Sequence, residues 1–126
     1  GYRMIDVVCG IICKNNSVLL ARRKKGKSLE GFWEFPGGKL EDQESETVAL
    51  KRELKEELGL EVFNLKRFGV NIHDYNTFQI RLIAYRCETK SFPNKSTDHD
   101  KIEWVDINIL NEYKLAEADK PFIKML

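Results

Sequence analysis

Apolar and polar positions along the chain predict strands arranged around one long helical segment. Six stretches are rich in β-branched or aromatic residues and favour strands, namely 5–14, 18–21, 32–35, 62–72, 77–88 and 102–105. Asn15-Asn16-Ser17 predicts a turn that makes the first two strands antiparallel partners. The polar run 90–101 predicts a loop, and brief helices are expected over 108–113 and 121–126. The pattern contains no repeat and no linker, so we expect a single domain over residues 1–126.

Residues 47–58 follow a helical periodicity instead. Ser45 is a candidate N-cap, and Gly59 is well placed to cap the C-terminal end. The apolar stripe consists of three leucines spaced four residues apart, namely Leu50, Leu54 and Leu58. A helix with this stripe buries one side and leaves its other sides to polar residues.

Three carboxylates crowd beside that stripe. Glu53, Glu56 and Glu57 are neighbours on a helix and span an arc of roughly 100°. The like charges of Glu53 and Glu57 repel by a few tenths of a kcal/mol, a cost that a bound divalent cation would offset. Taken alone, the cluster is equally well interpreted as a solvated helix face on which Arg52 pairs with Glu56.

A longer spacing surrounds this cluster. Gly38 is followed after five residues by Glu44, and Glu44 after seven more by Arg52-Glu-Leu-Lys-Glu-Glu-Leu-Gly-Leu60. The segment resembles the Nudix box at every defined position, a match expected by chance at one start on the order of 10⁻⁹. The resemblance implies an α/β fold, with a mixed sheet in an α/β/α sandwich. It also implies hydrolysis of a pyrophosphate bond in a nucleoside diphosphate linked to another group.

The chemistry of the side chains agrees with that implication. Aspartate and glutamate oxygens are ligands that Mg²⁺ or Mn²⁺ prefers, and these ions also coordinate phosphates. We expect Glu53 to position or deprotonate the attacking water as well, and Arg52 to hold a neighbouring glutamate in a fork-shaped hydrogen bond. The expected metal ligands are the Gly37 carbonyl, Glu53, Glu56, Glu57 and, in a second tier, Asp98. The expected catalytic set is Arg52, Glu53, Glu56 and Glu57.

Gly37 and Gly38 follow Phe35-Pro36, and this order predicts a rigid turn that leads from a strand into the glycines. We expect glycine here because it permits unusual backbone dihedral angles and lets a carbonyl approach a ligand. Gly38 is therefore grouped with the substrate-binding residues.

Similarity to the MutT-like branch of the family extends over nearly the whole chain. It runs from Gly10-Ile11-Ile12 through Arg22-Arg23 and residues 32–39 to residues 115–121. That branch converts nucleoside triphosphates to the monophosphate and pyrophosphate, and includes nucleotide-pool enzymes that act in DNA repair on 8-oxo-dGTP and relatives that act on CTP. By this resemblance Arg23 contacts the substrate, Phe35 lines the base pocket and Asp119 reads the base edge.

Asp119 departs from the 8-oxoguanine-selective bacterial enzymes, which carry Asn at this position. An ionised Asp only accepts hydrogen bonds, which suits the exocyclic amine of cytosine. A protonated Asp would donate to a purine, provided that burial raised its pKa. We therefore favour a cytosine-type or broad triphosphate substrate, with 8-oxo-dGTP second. The alternative role for Asp119 is to cap the last helix before Pro121.

Composition narrows the partners to small molecules. Lys and Arg total 21 and Asp and Glu total 20, so the net charge of +1 argues against a dedicated nucleic-acid or membrane-surface protein. No apolar run is long enough to span a bilayer, and no signal peptide opens the sequence. Three cysteines without a zinc spacing, Cys9, Cys13 and Cys87, predict buried thiols in a reducing cytoplasm. The oligomeric state is not encoded in any visible pattern.

Three alternatives remain open. Residues 21–28 partly resemble a phosphate-binding loop, although their bulky cations favour simple surface charge for Lys24, Lys25 and Lys27. A different Nudix activity would act on ADP-ribose, dinucleoside polyphosphates or a capped RNA end. A non-catalytic module would bind a nucleotide without cleaving it, but such modules commonly lose the glutamates that this chain keeps.

Overall fold

The computed structural model describes residues 3–126, which form a seven-stranded sheet with helices on both sides. Its strands are β1 (Arg3–Lys14), β2 (Ser17–Arg23), β3 (Trp33–Glu34), β4 (Gly37–Lys39), β5 (Val62–Asp74), β6 (Phe78–Thr89) and β7 (His99–Asp106). The helices are α1 (Glu46–Leu58), a 3₁₀ helix (Ile107–Glu112) and the short α2 (Lys120–Ile123). None of them combines the length and the hydropathy that a bilayer crossing requires.

The sheet is mixed, as expected. Its main path runs β3-β2-β1-β6-β5, with β4 paired to β1 and β7 paired to β2. β1 and β6 are parallel over ten residue pairs, whereas the other pairings between the strands are antiparallel. A parallel neighbour requires a crossover connection, and α1 lies within the chain that connects β1 to β6.

Two hydrophobic cores lie on opposite faces of the sheet, and β1 contributes to both. Successive strand residues point to opposite faces, so Val8 and Ile12 pack against α1 while Cys9 and Ile11 face the other core. That second core is closed by the 3₁₀ helix, the segment after it and α2, through Leu110, Leu115, Ala118 and Phe122. The α/β/α sandwich implied by the family resemblance is thus confirmed.

Helix α1 forms where its sequence predicts. The Ser45 hydroxyl accepts a hydrogen bond from the Val48 amide at 3.3 Å, and Gly59 ends the helix with a left-handed φ of 68°. The stripe of Leu50, Leu54 and Leu58 is completely buried. Burying one such side chain stabilises the fold by about 1.5–3 kcal/mol, which fixes the orientation of the helix and of its glutamates.

Several predicted boundaries are wrong, because backbone pairing extends strands into polar sequence. β2 continues to Arg23, and β7 begins at His99 rather than at residue 102, since Arg23 and His99 pair across the two strands. Phe35 and Pro36 lie between two strands, and the glycines that follow them form the short strand β4, which the sequence does not predict. The final helix covers only Lys120–Ile123, because hydrogen bonds between residues three apart replace the helical pattern after it. The cysteines are free thiols; Cys9 and Cys87 are buried, and Cys13 is half-buried.

Candidate active site

Gly37 and Gly38 are required for space rather than for unusual dihedral angles. Neither glycine has a positive φ, so the expectation based on backbone freedom is wrong. A Cβ at Gly37 would overlap the Val8 carbonyl and lie 2.7 Å from the Cys9 Cα, where β4 lies against β1. A Cβ at Gly38 would overlap the carboxyl group of Glu53. The second glycine therefore seats a carboxylate of α1 directly on the backbone of β4.

Arg52 organises the acidic groups around that seat. Its Nε and Nη2 atoms donate to the two Glu44 oxygens at 2.7 and 2.9 Å, which is the expected fork. This hydrogen bond lowers the pKa of Glu44 to about 2. The Nη1 atom of Arg52 also donates to Glu53 at 2.9 Å and to Glu56 at 3.3 Å. Arg52 therefore also bonds to two of the glutamates that are expected to bind metal.

Glu53 is poorly solvated, with 16% of its side chain exposed against 60% for Glu56. Burial raises its pKa, and the nearby charges of Glu56 and Glu57 add to that effect, while the hydrogen bond from Arg52 opposes it. A carboxylate with a raised pKa takes up a proton more readily than an ordinary glutamate does. This property suits a group that removes a proton from water.

The segment before β7 brings Asp98 to the other end of the glutamate cluster. Thr97 Oγ1 donates to Glu57 at 2.7 Å, and the Asp98 carboxylate lies 3.1 Å from Lys27 Nζ. Burial alone raises the pKa of Asp98, but hydrogen bonds with Lys27 and Glu57 lower it overall. Lys27 is an exposed charge, as its sequence context predicts, and it pairs with Asp98.

The oxygen donors near Gly38 fit a hard divalent cation by their chemistry. Glu53 packs on the glycine backbone, and Glu57 approaches Asp98 from the same helix. Within residues 3–126, no three His, Cys, Asp or Glu side chains are already gathered around one point suited to a metal. In this arrangement the glutamates bond to Arg52 and Thr97, so a cation would have to displace those partners.

A cavity of about 230 Å³ opens beside Gly38. Its lining comprises Val7, Val8, Cys9, Arg23, Ser28, Leu29, Glu34, Phe35, Gly37, Gly38, Ile80, Leu82 and Asp119. The four residues predicted to bind substrate, Arg23, Phe35, Gly38 and Asp119, are all in this set. The structure thus brings together residues that lie up to 96 positions apart in the sequence.

Asp119 faces this cavity and does not cap α2. Its Oδ2 accepts a hydrogen bond from the Phe35 amide at 2.9 Å, and it makes no capping hydrogen bond, so the capping alternative is wrong. Its Oδ1 has no hydrogen bond within residues 3–126, and it is not fully buried, since no fully buried side-chain oxygen there lacks a partner. Burial raises the pKa of Asp119 well above its ordinary value, and the negative charge of Glu34 raises it further.

The segment that carries Asp119, residues 114–119 and here called the strap, is attached to β3 by backbone hydrogen bonds. The Trp33 amide donates to the Lys114 carbonyl, and the Ala116 amide donates to the Trp33 carbonyl, both at 2.8 Å. β3 and this strap contribute Glu34 and Asp119, respectively, to the lining of the cavity.

Comparison with known proteins agrees with this arrangement. The family model for the NUDIX domain matches residues 7–125. The chain belongs to the Nudix family. It is 34% identical over 122 residues to the CTP pyrophosphohydrolase of Escherichia coli K12, covering 97% of this chain and 90% of the relative. It is 42% identical over 81 residues to the 8-oxo-dGTP diphosphatase of Proteus vulgaris, covering 64% and 72%.

The fold of this Nudix chain is also similar to the folds of solved structures. The MutT Nudix hydrolase of Burkholderia pseudomallei superposes with a TM-score of 0.89 at 22% identity, covering 98% of both chains. This Nudix chain is therefore MutT-like in fold. Its relatives are diphosphatases and pyrophosphohydrolases, and it is a hydrolase that acts on phosphoanhydride bonds.

Two residues at the candidate site, Glu34 and His99, were not predicted from sequence. Glu34 lines the cavity between Arg23 and Asp119, and its Oε2 lies 2.8 Å from Nε2 of the buried His99. The run around Glu34 pointed to this region, but its pairing with a residue 65 positions away leaves no local signal. The phosphate-loop alternative for residues 21–28 is wrong, because Arg22 and Arg23 end a strand and a turn to β3 follows.

Proposed function

We propose that this Nudix hydrolase converts nucleoside triphosphates to the monophosphate and pyrophosphate, acting on cytosine-type or oxidised nucleotides in the nucleotide pool. The observation that supports this most directly is the cavity beside Gly38, which adjoins the glutamates of α1. Arg23, Phe35 and Asp119 line it, and Glu53 lies against its Gly38 wall. A base bound in this cavity would place its phosphates toward the carboxylates of the helix.

The base end of the cavity supports two substrate classes. An ionised Asp119 offers an acceptor at Oδ1, which suits the amine of cytosine. The raised pKa of Asp119 supports a protonated carboxyl as well, which would donate to a base oxygen such as O6 of a guanine. The raised pKa is therefore a specific reason to retain 8-oxo-dGTP as the second candidate substrate.

At the phosphate end, Arg23 is held in place before any ligand arrives. Its Nε donates to the Ser28 carbonyl at 3.0 Å, and its Nη2 lies 3.2 Å from the Ser28 hydroxyl. A guanidinium fixed in this way loses little conformational freedom on binding an anion. We propose that Arg23 contacts the substrate with its remaining donors.

The glutamates would hold Mg²⁺ or Mn²⁺, with the Gly37 carbonyl and Asp98 completing the set. When bound, such an ion neutralises phosphate charge and activates water. In the proposed scheme Glu53 orients and deprotonates the attacking water, and its raised pKa supports that role. Arg52 fixes Glu44, so its charge remains beside the cluster when Glu53 and Glu56 exchange partners.

The proposed location is the cytoplasm. Cys9, Cys13 and Cys87 are free thiols, as is usual for proteins of reducing compartments.

A panel assay tests the proposal. Pyrophosphate release is measured at equal magnesium from CTP, dCTP, 5-methyl-dCTP, 8-oxo-dGTP and dGTP, with release of AMP from ADP-ribose measured in parallel. We expect kcat/KM to be highest for a cytosine or 8-oxoguanine triphosphate, and Asp119→Ala to lower it at least tenfold. Glu117→Gln is the matched control, since Glu117 is exposed and pairs with Lys120 at 2.6 Å. Cleavage of ADP-ribose without triphosphate turnover would contradict the proposal.

A further inference from the structure

His99 is buried and is fully engaged by hydrogen bonds. Its side chain is only 4% exposed, and its Nε2 lies 2.8 Å from Glu34 Oε2. Its Nδ1 lies 3.4 Å from the Ser96 hydroxyl, which also accepts a hydrogen bond from the His99 amide at 3.1 Å. An ionised carboxylate can only accept, so Nε2 is the donor in the contact with Glu34. The ring is thus held at both of its nitrogen atoms, by Glu34 and by Ser96.

A β-bulge directs His99 inward. Arg22 pairs with Lys101, but Arg23 pairs with His99, so β7 contains one extra residue at Asp100. In a regular ladder Asp100 would pair with Arg23, and the side chains before it would exchange faces. Instead Asp100 accepts a hydrogen bond from Arg22 at 2.8 Å on the exposed side.

The carboxylate that His99 holds belongs to the cavity. Glu34 and Asp119 are the two acidic residues among its lining, and the charge of Glu34 contributes to the electrostatics at Asp119. Arg23 Nη1 lies 3.6 Å from the same Glu34 oxygen that His99 binds. With Oε2 engaged in this way, Glu34 Oε1 is the oxygen left to face a ligand.

Residues 97 to 99 connect the two ends of the site. Thr97 donates to Glu57 on α1, Asp98 pairs with Lys27, and His99 holds Glu34. One short segment thus contacts the glutamate helix, the β2–β3 connection and the cavity wall. A displacement of this segment would move carboxylates at both ends together.

We propose that His99 is a positioning residue for nucleotide binding, a role that rests on the proposed function. It acts through Glu34, whose carboxylate it fixes as a second acceptor opposite Asp119. A ligand with two separated donors fits this pair, as a base amine together with a second N–H or hydroxyl would. His99 itself does not contact the ligand.

The test is a double-mutant cycle that reads binding and turnover separately. His99→Phe keeps the ring volume but removes the donor to Glu34, and His99→Gln restores a donor at the length of Nε2. Dissociation constants for CTP, dCTP and 8-oxo-dGTP are measured by titration calorimetry in EDTA, and KM and kcat are measured with magnesium. We expect His99→Phe to raise Kd and KM about tenfold, the effect of one lost charged hydrogen bond, with kcat changed less than threefold.

Two features of the cycle separate positioning from mere stability. In a Glu34→Ala background, His99→Phe is expected to change Kd less than twofold, because the carboxylate that His99 positions is already absent. His99→Gln is expected to recover Kd to within threefold of the wild type. Tyr113→Phe is the matched control, since Tyr113 donates to Glu103 at 2.8 Å outside the cavity, and it should leave Kd unchanged.

Equal Kd values for His99→Phe and the wild type would overturn the inference. An undiminished effect of His99→Phe in the Glu34→Ala background would also overturn it. If His99→Phe does not fold, His99→Asn replaces it, because Asn is too short to reach Glu34 and should bind at least fivefold more weakly than His99→Gln. A wild type that binds nucleotides but hydrolyses none would refute the proposed function and leave the cycle in Kd to decide the role of His99. A wild type that binds none of the three nucleotides would overturn both.

Discussion

Alanine substitutions at Gly37 and Gly38 should affect different properties, because the atoms that each new Cβ would meet differ. Gly38→Ala should lower activity, and Gly37→Ala should lower stability. At Gly38 the obstacle is the carboxyl group of Glu53, the far end of a flexible side chain. Of the three contacts, the longest is 2.7 Å to Oε1. Restoring that contact to the 3.4 Å of ordinary packing moves the carboxylate by about 0.7 Å, and the nearer atoms must move further.

A catalytic group displaced by about 1 Å loses on the order of 10²-fold in rate. We therefore expect Gly38→Ala to lower kcat about 100-fold for the best triphosphate of the panel. Its melting temperature should stay within about 2 °C of the wild type, because only a partly exposed side chain has to move.

At Gly37 the obstacle is the backbone of β1. The new Cβ would overlap the Val8 carbonyl and lie 2.7 Å from the Cys9 Cα, so β4 itself would have to separate from β1. Such overpacking costs about 1–3 kcal/mol, or roughly 4–12 °C in melting temperature for a chain of this size. Gly37→Ala thus serves as the matched comparison, in which stability falls.

Differential scanning fluorimetry and a pyrophosphate-release assay on the same preparations give both quantities. The reasoning is refuted if Gly38→Ala retains kcat within threefold of the wild type. An equal decrease in melting temperature for Gly37→Ala and Gly38→Ala would also refute it, since Glu53 would then not be the group displaced.

Three further results are expected. Burial raises the pKa of Asp119, so the unfolded chain releases this proton at lower pH than the folded chain does, and the contribution of Asp119 to stability falls as pH rises above about 4. Asp119→Asn should therefore raise the melting temperature at pH 8. An equal gain at pH 4.5 would contradict this. The ratio of kcat/KM for CTP to that for 8-oxo-dGTP should rise with pH as Asp119 ionises, and a ratio that rises equally in Asp119→Asn would exclude Asp119 as the cause. Glu57→Gln should lower kcat at least 100-fold, while the Kd for the nucleotide in EDTA changes less than threefold. Thr97→Val, which removes the 2.7 Å hydrogen bond to Glu57, should lower kcat less than tenfold. Retained turnover in Glu57→Gln would argue against a role for Glu57 in hydrolysis.

The features predicted correctly from sequence are those with local signals. Helix α1, its caps and its leucine stripe depend on residues within one short segment, and the Nudix box adds a strict spacing to them. The mixed charges of α1 alone do not distinguish a solvated helix face from a metal site, whereas the spacing to Gly38 favours the metal site. Backbone freedom does not explain Gly38, because the carboxylate that this glycine accommodates comes from the facing helix.

The features missed depend on contacts between distant segments. β7 begins in the polar sequence His99-Asp100-Lys101, and only pairing with β2 makes that sequence a strand. The hydrogen bond from Phe35 to Asp119 spans 84 positions, so the capping alternative for Asp119 could not be excluded without it. Patterns in a single sequence indicate burial and local geometry, whereas these contacts form only when distant strands pair in the folded sheet.

The strap that carries Asp119 separates selectivity from chemistry in the covalent chain. The carboxylates proposed to drive hydrolysis are concentrated on α1, whereas the group proposed to sense the base lies on a tail attached to β3 by two backbone hydrogen bonds at Trp33. On the proposed assignment, substitutions in residues 114 to 119 would change which nucleotide is accepted and leave the glutamates of α1 in place. Redesign of substrate choice would then begin in that segment.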